Sequence, residues 1–278
     1  MQYDLIGDVH GHFDLLERLV EKMGYTRTRR GYEHREDRKL VFVGDLINRG
    51  PDSLSVLKTV KETWEEGNAL VTLGNHEFGT LRLAFMNKPI PSPDYKPFLP
   101  WIENLPLFLD LDEIRVVHAA WHLSSIDLLS GVRACERSFM EAVCQSDSSH
   151  RKAVDRILKG VKATLPGIAK DRFGIVRPKG RLRWWEDLRG KSFSEILFPP
   201  MYGDSLQAFP QGHEIDAVEP YPTSEKPVFV GHYCLEPQFP KVNGNVICLD
   251  GCVTCDKKLW GYAQVDGEAP SRANLLHS

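Results

Sequence analysis

The chain has 278 residues, a formal net charge of −3, 42% hydrophobic and 26% charged residues. That length suits one large domain with an elaborated insert, and the charge balance offers no overall basic footprint for nucleic acid, while leaving a local basic patch open. No apolar run approaches the roughly 18 residues of a membrane helix, and no basic and apolar leader precedes the first strand, so a cytoplasmic protein without membrane partners is expected.

In chain order, Leu5-Ile6, Leu40 to Val43, Leu70 to Leu73 and Ile114 to Val117 read as short buried strands. Between the first two, Phe13, Leu16, Leu19, Val20 and Met23 form a helical stripe closed by Gly24. Pro51 opens a second helix carrying Leu54, Leu57, Val60 and Trp64, which ends at Gly67-Asn68. This alternation predicts a layered α/β fold. The prolines between 85 and 100 predict a surface loop, then a short helix near Trp101–Asn104. Residues 123–165 have helical character, and 166–226 are irregular. Strand signals return at Val228 to Val230, Val246 to Leu249 and Leu259 to Val265, the last two reading as an antiparallel hairpin. The tail from Glu268 is expected to pack loosely. One domain over 1–278 is expected, with its core at 1–122 and 227–267 and an insert or cap at about 123–226.

Each strand ends in a polar cluster: Gly7-Asp8-Val9-His10-Gly11, Gly44-Asp45-Leu46-Ile47-Asn48-Arg49-Gly50, Gly74-Asn75-His76-Glu77, Val117-His118 and Gly231-His232. Ligands of open α/β sheets gather beyond the carboxyl ends of strands. Asp8, His10, Asp45, Asn75, His118 and His232 would form one mixed oxygen and nitrogen site there, suited to Mn, Fe or Zn. Asp45 is the central acidic candidate for a carboxylate shared by two cations.

These clusters resemble the signature of the calcineurin-like metallophosphoesterases, in their phosphoprotein-phosphatase branch. That branch includes serine/threonine phosphatases and symmetrical diadenosine tetraphosphate hydrolases. The resemblance covers residues 5–118 and 227–265. It implies a β-sandwich flanked by helices and two divalent cations, with Mn first in expectation. It assigns Asp8 and His10 to one cation, Asp45 to the bridge, and Asn75, His118 and His232 to the other. His76 is similar to the acid that protonates the leaving oxygen, and Arg49 to the arginine that grips phosphate. The chain departs from the family pattern at Asn48, where protein phosphatases carry an aspartate, at Glu77, and at Ala119-Ala120. Asn48 can orient His76 by a hydrogen bond but cannot stabilise its cation by charge.

The chemistry expected is hydrolysis of a phosphate ester by attack of a metal-bound hydroxide. A phosphomonoesterase acting on a small molecule or phosphopeptide comes first, and a symmetrical dinucleoside polyphosphate hydrolase second. A nuclease or phosphodiesterase is a weaker reading because of the net negative charge, and a non-catalytic metal-binding module is weaker because a structural site needs neither His76 nor Arg49. In the insert, Arg183 and then Arg177 are candidates for a further phosphate contact, with Tyr233 lining the pocket. Trp184 and Trp185 could stack on an aromatic substrate or pack the cap. Cys252-x-x-Cys255 has the spacing of half a zinc site, with Cys234 and Cys248 nearby. Buried thiols, rather than zinc ligands or disulfides, are expected for the six cysteines.

Overall fold

The computed structural model describes residues 2–215 and 218–278. The strands are β1 (Tyr3–Ile6), β2 (Tyr25–Thr28), β3 (Gly31–His34), β4 (Lys39–Phe42), β5 (Ala69–Val71), β6 (Phe108–Asp110), β7 (Arg115–Val117), β8 (Lys162–Thr164), β9 (Lys179–Arg181), β10 (Val228–Val230), β11 (Val242–Asn243), β12 (Val246–Cys248), β13 (Trp260–Ala263) and β14 (Leu275–His277). The helices are α1 (Phe13–Lys22), α2 (Ser53–Glu65), α3 (Asn75–Phe85), α4 (Leu99–Ile102), α5 (Leu123–Leu129), α6 (Arg137–Cys144), α7 (Ser149–Lys159), α8 (Phe193–Ile196), α9 (Gly212–Ile215) and α10 (Val253–Asp256).

Two five-stranded sheets carry the architecture, in the orders β14-β13-β1-β4-β5 and β11-β12-β10-β7-β6. Within the first, β1, β4 and β5 run parallel. Within the second, β7, β10 and β12 run parallel. Side chains on these strands alternate between two apolar layers. Leu5, Val41, Val43, Val116, Phe229, Ile247 and Leu249 fill one cluster, the layer between the sheets. Ile6, Leu40 and Phe42 join another, with Leu16 and Leu19 of α1 and Val56 and Val60 of α2. The result is a β-sandwich flanked by helices. Parallel order sends the carboxyl ends of β1, β4 and β5 to one edge, and β7, β10 and β12 do the same in the facing sheet.

Two expectations change, and one element is added. The runs read as a closing hairpin lie in different sheets: β12 pairs with β10 and β11, whereas β13 pairs with β1 and β14. Periodicity marks both as strands but carries no information about which sheet takes them. The tail is not loose, because β14 adds to the edge of β13. A hairpin of β2 and β3 stands between α1 and β4, and Gly31 at its turn adopts φ +104°. Between β7 and β10 the chain leaves both large sheets, and β8 and β9 form a small sheet of their own. Trp184, Phe198 and Leu206 of this stretch belong to the same apolar cluster as the helical layer. Among the described residues, no helix is long and apolar enough to cross a membrane.

One buried ion pair ties the first sheet together. Asp4 of β1 is 1% exposed and accepts from Arg38 Nε at 2.7 Å, Arg38 Nη2 at 2.6 Å and the Tyr25 hydroxyl at 2.9 Å. Arg38 also donates to Tyr3 O and Gln264 O, spanning β1 and the end of β13. Removing one member of a buried pair strands the other. Asp4→Ala is expected to cost roughly 2–4 kcal/mol of stability in urea denaturation, and an unshifted midpoint would contradict this role.

Candidate metal centre and active site

The clusters predicted at the strand ends converge. Asp45 Oδ2 lies 3.6 Å from His10 Nε2, 3.3 Å from His118 Nε2 and 4.0 Å from His76 Nε2. Asp8 Oδ2 lies 4.0 Å from His10 Nε2, and Asn75 Oδ1 lies 3.2 Å from His118 Nε2. His232 completes the group, its ring centroid 5.2 Å from that of His118. Among the described residues, two ligand-type groups could hold a cation, His10-Asp45-His76 and Asp45-His118-His232, and Asp45 belongs to both.

The backbone around these side chains is unusual. His10, Asp45, Asn48, Arg49 and His232 all adopt φ between +45° and +71°. For residues with a Cβ this left-handed conformation costs on the order of 1 kcal/mol each and persists only where the surroundings impose it. Glu77 is one source of that constraint. Its buried carboxylate accepts from the N–H groups of Asp45, Leu46, Ile47 and Gly74 at 2.9–3.1 Å. Burial and the Asp45 charge push the Glu77 carboxyl up to about 7, with His118 and the donated N–H groups acting against them. Gly74 also touches the Asp45 loop, so a Cβ there would collide with Asp45 N. Gly231 is needed for a different reason: a Cβ would strike the Asp8 carboxylate.

The side chains fit divalent cations. The Nδ1 atoms of His10 and His118 hydrogen-bond to Ile47 O at 3.1 Å and Val43 O at 2.8 Å. Nδ1–H donation to a carbonyl leaves the Nε2 lone pair turned inward, as metal-binding histidines require. Asp8 Oδ1 and His232 Nε2 are buried with no hydrogen-bond partner. Burial opposes charge on His118, yet the Asp45 and Asp8 carboxylates raise its pKa to about 10. The same carboxylates would be neutralised by cations placed among these atoms. Asp8 shows the need from the other side: burial first, and then Asp250 and Asp45, hold its carboxyl well above the usual range.

Asn48 and His76 meet. Asn48 Nδ2 lies 2.9 Å from His76 Nδ1, and the Tyr95 hydroxyl donates to Asn48 Oδ1 at 3.3 Å. With the amide as donor, Nδ1 is the acceptor and the ring proton sits on Nε2, the edge that faces Asp45. Burial lowers the His76 pKa to about 4, with His10 and Arg49 adding to it against the Asp45 carboxylate.

A cavity of about 520 Å³ opens over Asp8, His10, Asp45 and His232. Arg49 lines it, and so does Arg177, whose guanidinium is held by Asp171 at 2.7 Å. Arg183 does not line it, contrary to expectation. It pairs with Glu186 at 3.3 Å and stacks on Phe198, 5.7 Å from the ring centroid. Arg181 lines the cavity instead. It ends β9 between buried Gly180 and Leu182, and because Arg183 has the same alternation between Leu182 and Trp184, the sequence carried no signal to prefer Arg181. Tyr233 lines the cavity, but its hydroxyl turns to the core, donating to Ala119 O at 2.8 Å and accepting from Trp184 Nε1 at 3.1 Å. Trp184 and Trp185 are buried packing residues.

Two acidic residues escaped the sequence reading as site components, Glu77 and Asp250. Asp250 follows β12 as the other polar clusters follow their strands. Its oxygens accept from Cys234 N at 2.6 Å and Cys252 N at 2.8 Å. That grip brings the two Cα atoms to 4.0 Å, and Cys234 and Cys252 are joined as a disulfide. The expectation of free thiols is therefore corrected for this pair. The half-zinc reading lapses as well, since Cys252 is bonded and Cys248 is buried apart from exposed Cys255.

Residues 1–197 match the family model described as calcineurin-like phosphoesterase. The chain belongs to that family. It is 31% identical over 273 positions to a symmetrical bis(5'-nucleosyl)-tetraphosphatase of Vibrio campbellii, covering 90% of each chain. It is 47% identical over 76 residues to an asymmetrical bis(5'-nucleosyl)-tetraphosphatase of Halalkalibacterium halodurans, a match spanning 27% of this chain and 31% of that relative. A Saccharomyces cerevisiae serine/threonine phosphatase structure shares the fold, with TM-score 0.51 and 16% identity over all of this chain and 79% of the other.

The Asn48–His76 contact generates a pH test. Asn48→Asp places a negative charge beside Nδ1, which raises the His76 pKa and keeps the ring doubly protonated, as imidazolium, to higher pH. The alkaline limb of kcat/KM is expected to move upward by about one unit. An unmoved limb would count against proton donation by His76.

Proposed function

We propose that this enzyme is a symmetrical hydrolase of dinucleoside polyphosphates, cleaving diadenosine tetraphosphate into two nucleoside diphosphates. The observation that carries this reading is the charge of the cavity rim. Six cationic side chains line it: Arg49, Lys162, Arg172, Arg177, Lys179 and Arg181. Arg172 and Arg177 are paired with Asp256 and Asp171. The other four have no carboxylate within ion-pair distance among the described residues. A phosphomonoester brings two charges to such a rim, whereas a tetraphosphate chain brings about four. The rim is also local, on a chain whose net charge is −3. Two relatives that align over 90% of both chains are named for this class of substrate. The phosphomonoesterase reading, placed first on sequence, therefore ranks behind it.

In this reading Asp8, His10, Asp45, Asn75, His118 and His232 are the residues that would hold divalent cations, Asp45 belonging to both groups of candidate ligands. Cations bound there supply Lewis acidity to phosphate oxygens and lower the pKa of coordinated water. The remaining work falls to the chain's own groups. Arg49 and Arg181 hold phosphate oxygens, and a guanidinium can do so through two N–H groups at once. His76 keeps a proton on Nε2, set by the Asn48 amide at Nδ1, and donates it as a hydrogen bond to the departing phosphate oxygen, whose developing charge it stabilises. Tyr233 binds no substrate through its hydroxyl; it fixes the wall that carries His232.

Two outcomes are expected. Purified enzyme with Mn²⁺ converts diadenosine tetraphosphate to ADP alone, resolved by anion-exchange chromatography. ATP plus AMP would point to asymmetrical cleavage, and turnover of phosphopeptides without the dinucleotide would return the monoesterase reading. Asp45→Asn loses bound metal, measured by elemental analysis, and its turnover falls beyond the roughly 10–100-fold typical of an outer-shell partner. Full metal content and wild-type turnover in that variant would refute the shared carboxylate.

A further inference from the structure

The turn from Lys170 to Arg177 sets an aromatic ring at the mouth of the cavity. Its base is tied down. Asp171 Oδ1 accepts from Phe173 N at 2.9 Å and Ile175 N at 3.0 Å, and its Oδ2 accepts from Arg177 Nε at 2.8 Å. Lys170 and Tyr202 exchange backbone hydrogen bonds at 2.8 and 2.9 Å. Arg172 reaches back to Asp256 at 3.3 Å. The tip is left open: Phe173 is 53% exposed, and it lines the cavity beside Arg172, Arg177 and Lys179. The Arg172 guanidinium lies over the Phe173 ring, 5.2 Å from its centroid.

We propose that Phe173 is the stacking platform for a nucleobase of the substrate. This rests on the dinucleoside polyphosphate reading and deepens it. A polyphosphate drawn along the unpaired cations ends in a nucleoside, whose base needs a flat apolar surface within reach of the rim. The aromatic residues first considered for stacking, Trp184 and Trp185, are packed in the core and cannot supply it. Phe173 can, because its turn is held rigid by Asp171 and one ring face is already covered by the Arg172 cation. A guanidinium on one face leaves the other for the base. Aromatic stacking of this kind accepts any base, since every base has a π face. The ring therefore sets selection for a nucleoside over a bare phosphate chain, without selecting among bases.

The test compares a matched pair of ligands, α,β-methylene-ADP and methylenediphosphonate, which differ in the nucleoside. Affinities are measured by calorimetry on the full chain with Mn²⁺, for wild type, Phe173→Ala and Phe173→Tyr. Phe173→Ala is expected to bind the nucleotide about tenfold more weakly, while the ratio of diphosphonate affinities stays near one. Phe173→Tyr is expected to restore nucleotide affinity, because the ring is retained. Equal weakening of both ligands, or of neither, would overturn the proposal. So would a change in sedimentation from dimer to monomer on Phe173→Ala without a selective loss of nucleotide, which would make the exposed Phe173, Ile175 and Val176 an interface between copies. If the nucleotide loss is selective but wild type does not cleave diadenosine tetraphosphate, stacking stands and the substrate reading falls.

Discussion

The Asp45 carboxylate is the point on which the site depends. One oxygen faces three imidazoles, those of His10, His76 and His118, at 3.3–4.0 Å. The other accepts from His76 N at 2.9 Å. A charge so deeply buried would ordinarily be expelled or neutralised. Burial does raise its pKa, but the surrounding histidines outweigh that and hold the carboxyl far below the usual range. The loop that presents Asp45 is fastened by Glu77, which gathers the successive N–H groups of Asp45, Leu46 and Ile47. One carboxylate thus organises the ligands, and a second organises the first.

The strain in this arrangement is compensated by the sandwich. Residues that meet at the site approach one another through left-handed backbone at His10, Asp45 and His232. Such conformations survive because the strands behind them are buried on both faces and cannot shift independently. The loops also interlock. His10 N donates to Asp45 O at 2.8 Å, and His232 N donates to Asp8 Oδ2 at 3.0 Å. The site is therefore built by the contact of two sheets rather than by any one loop.

The stretch between β7 and β10 supplies what the sandwich lacks. It contributes Lys162, Arg172, Arg177, Lys179 and Arg181 to the cavity, against Arg49 alone from the sheet loops. Among its attachments to the core are Tyr233, whose hydroxyl joins Trp184 to Ala119, and the Ile157 carbonyl, which accepts from Ala119 N and Ala120 N. The residues that could hold a metal and the cations of the cavity thus lie on different parts of the chain, the former at the strand ends and the latter, Arg49 apart, on the intervening stretch.

How far the sequence could be read follows the range of the forces involved. Short apolar runs with polar ends mark the strands, and Asp8, His10, Asp45, Asn75, His118 and His232 stand out because each occupies the same place after its strand. Local propensity and spacing suffice for that. The pairing of β13 with β1, more than 250 residues apart in the chain, is invisible to local pattern, as is the closing of β14 onto β13. Glu77 reads as a helix-start acid, yet it serves a loop some 30 residues upstream, and Asp250 works through two backbone N–H groups. Arg181 and Arg183 have the same chemistry and the same alternation with buried neighbours, and only the end of β9 between them separates the one that lines the cavity from the one that pairs with Glu186. The sequence by itself determined the ligand types and the layered α/β plan, because side-chain chemistry and burial period are local properties. The tertiary structure decided which charges share one space, because that depends on how two sheets pack and how the intervening stretch folds over their edge.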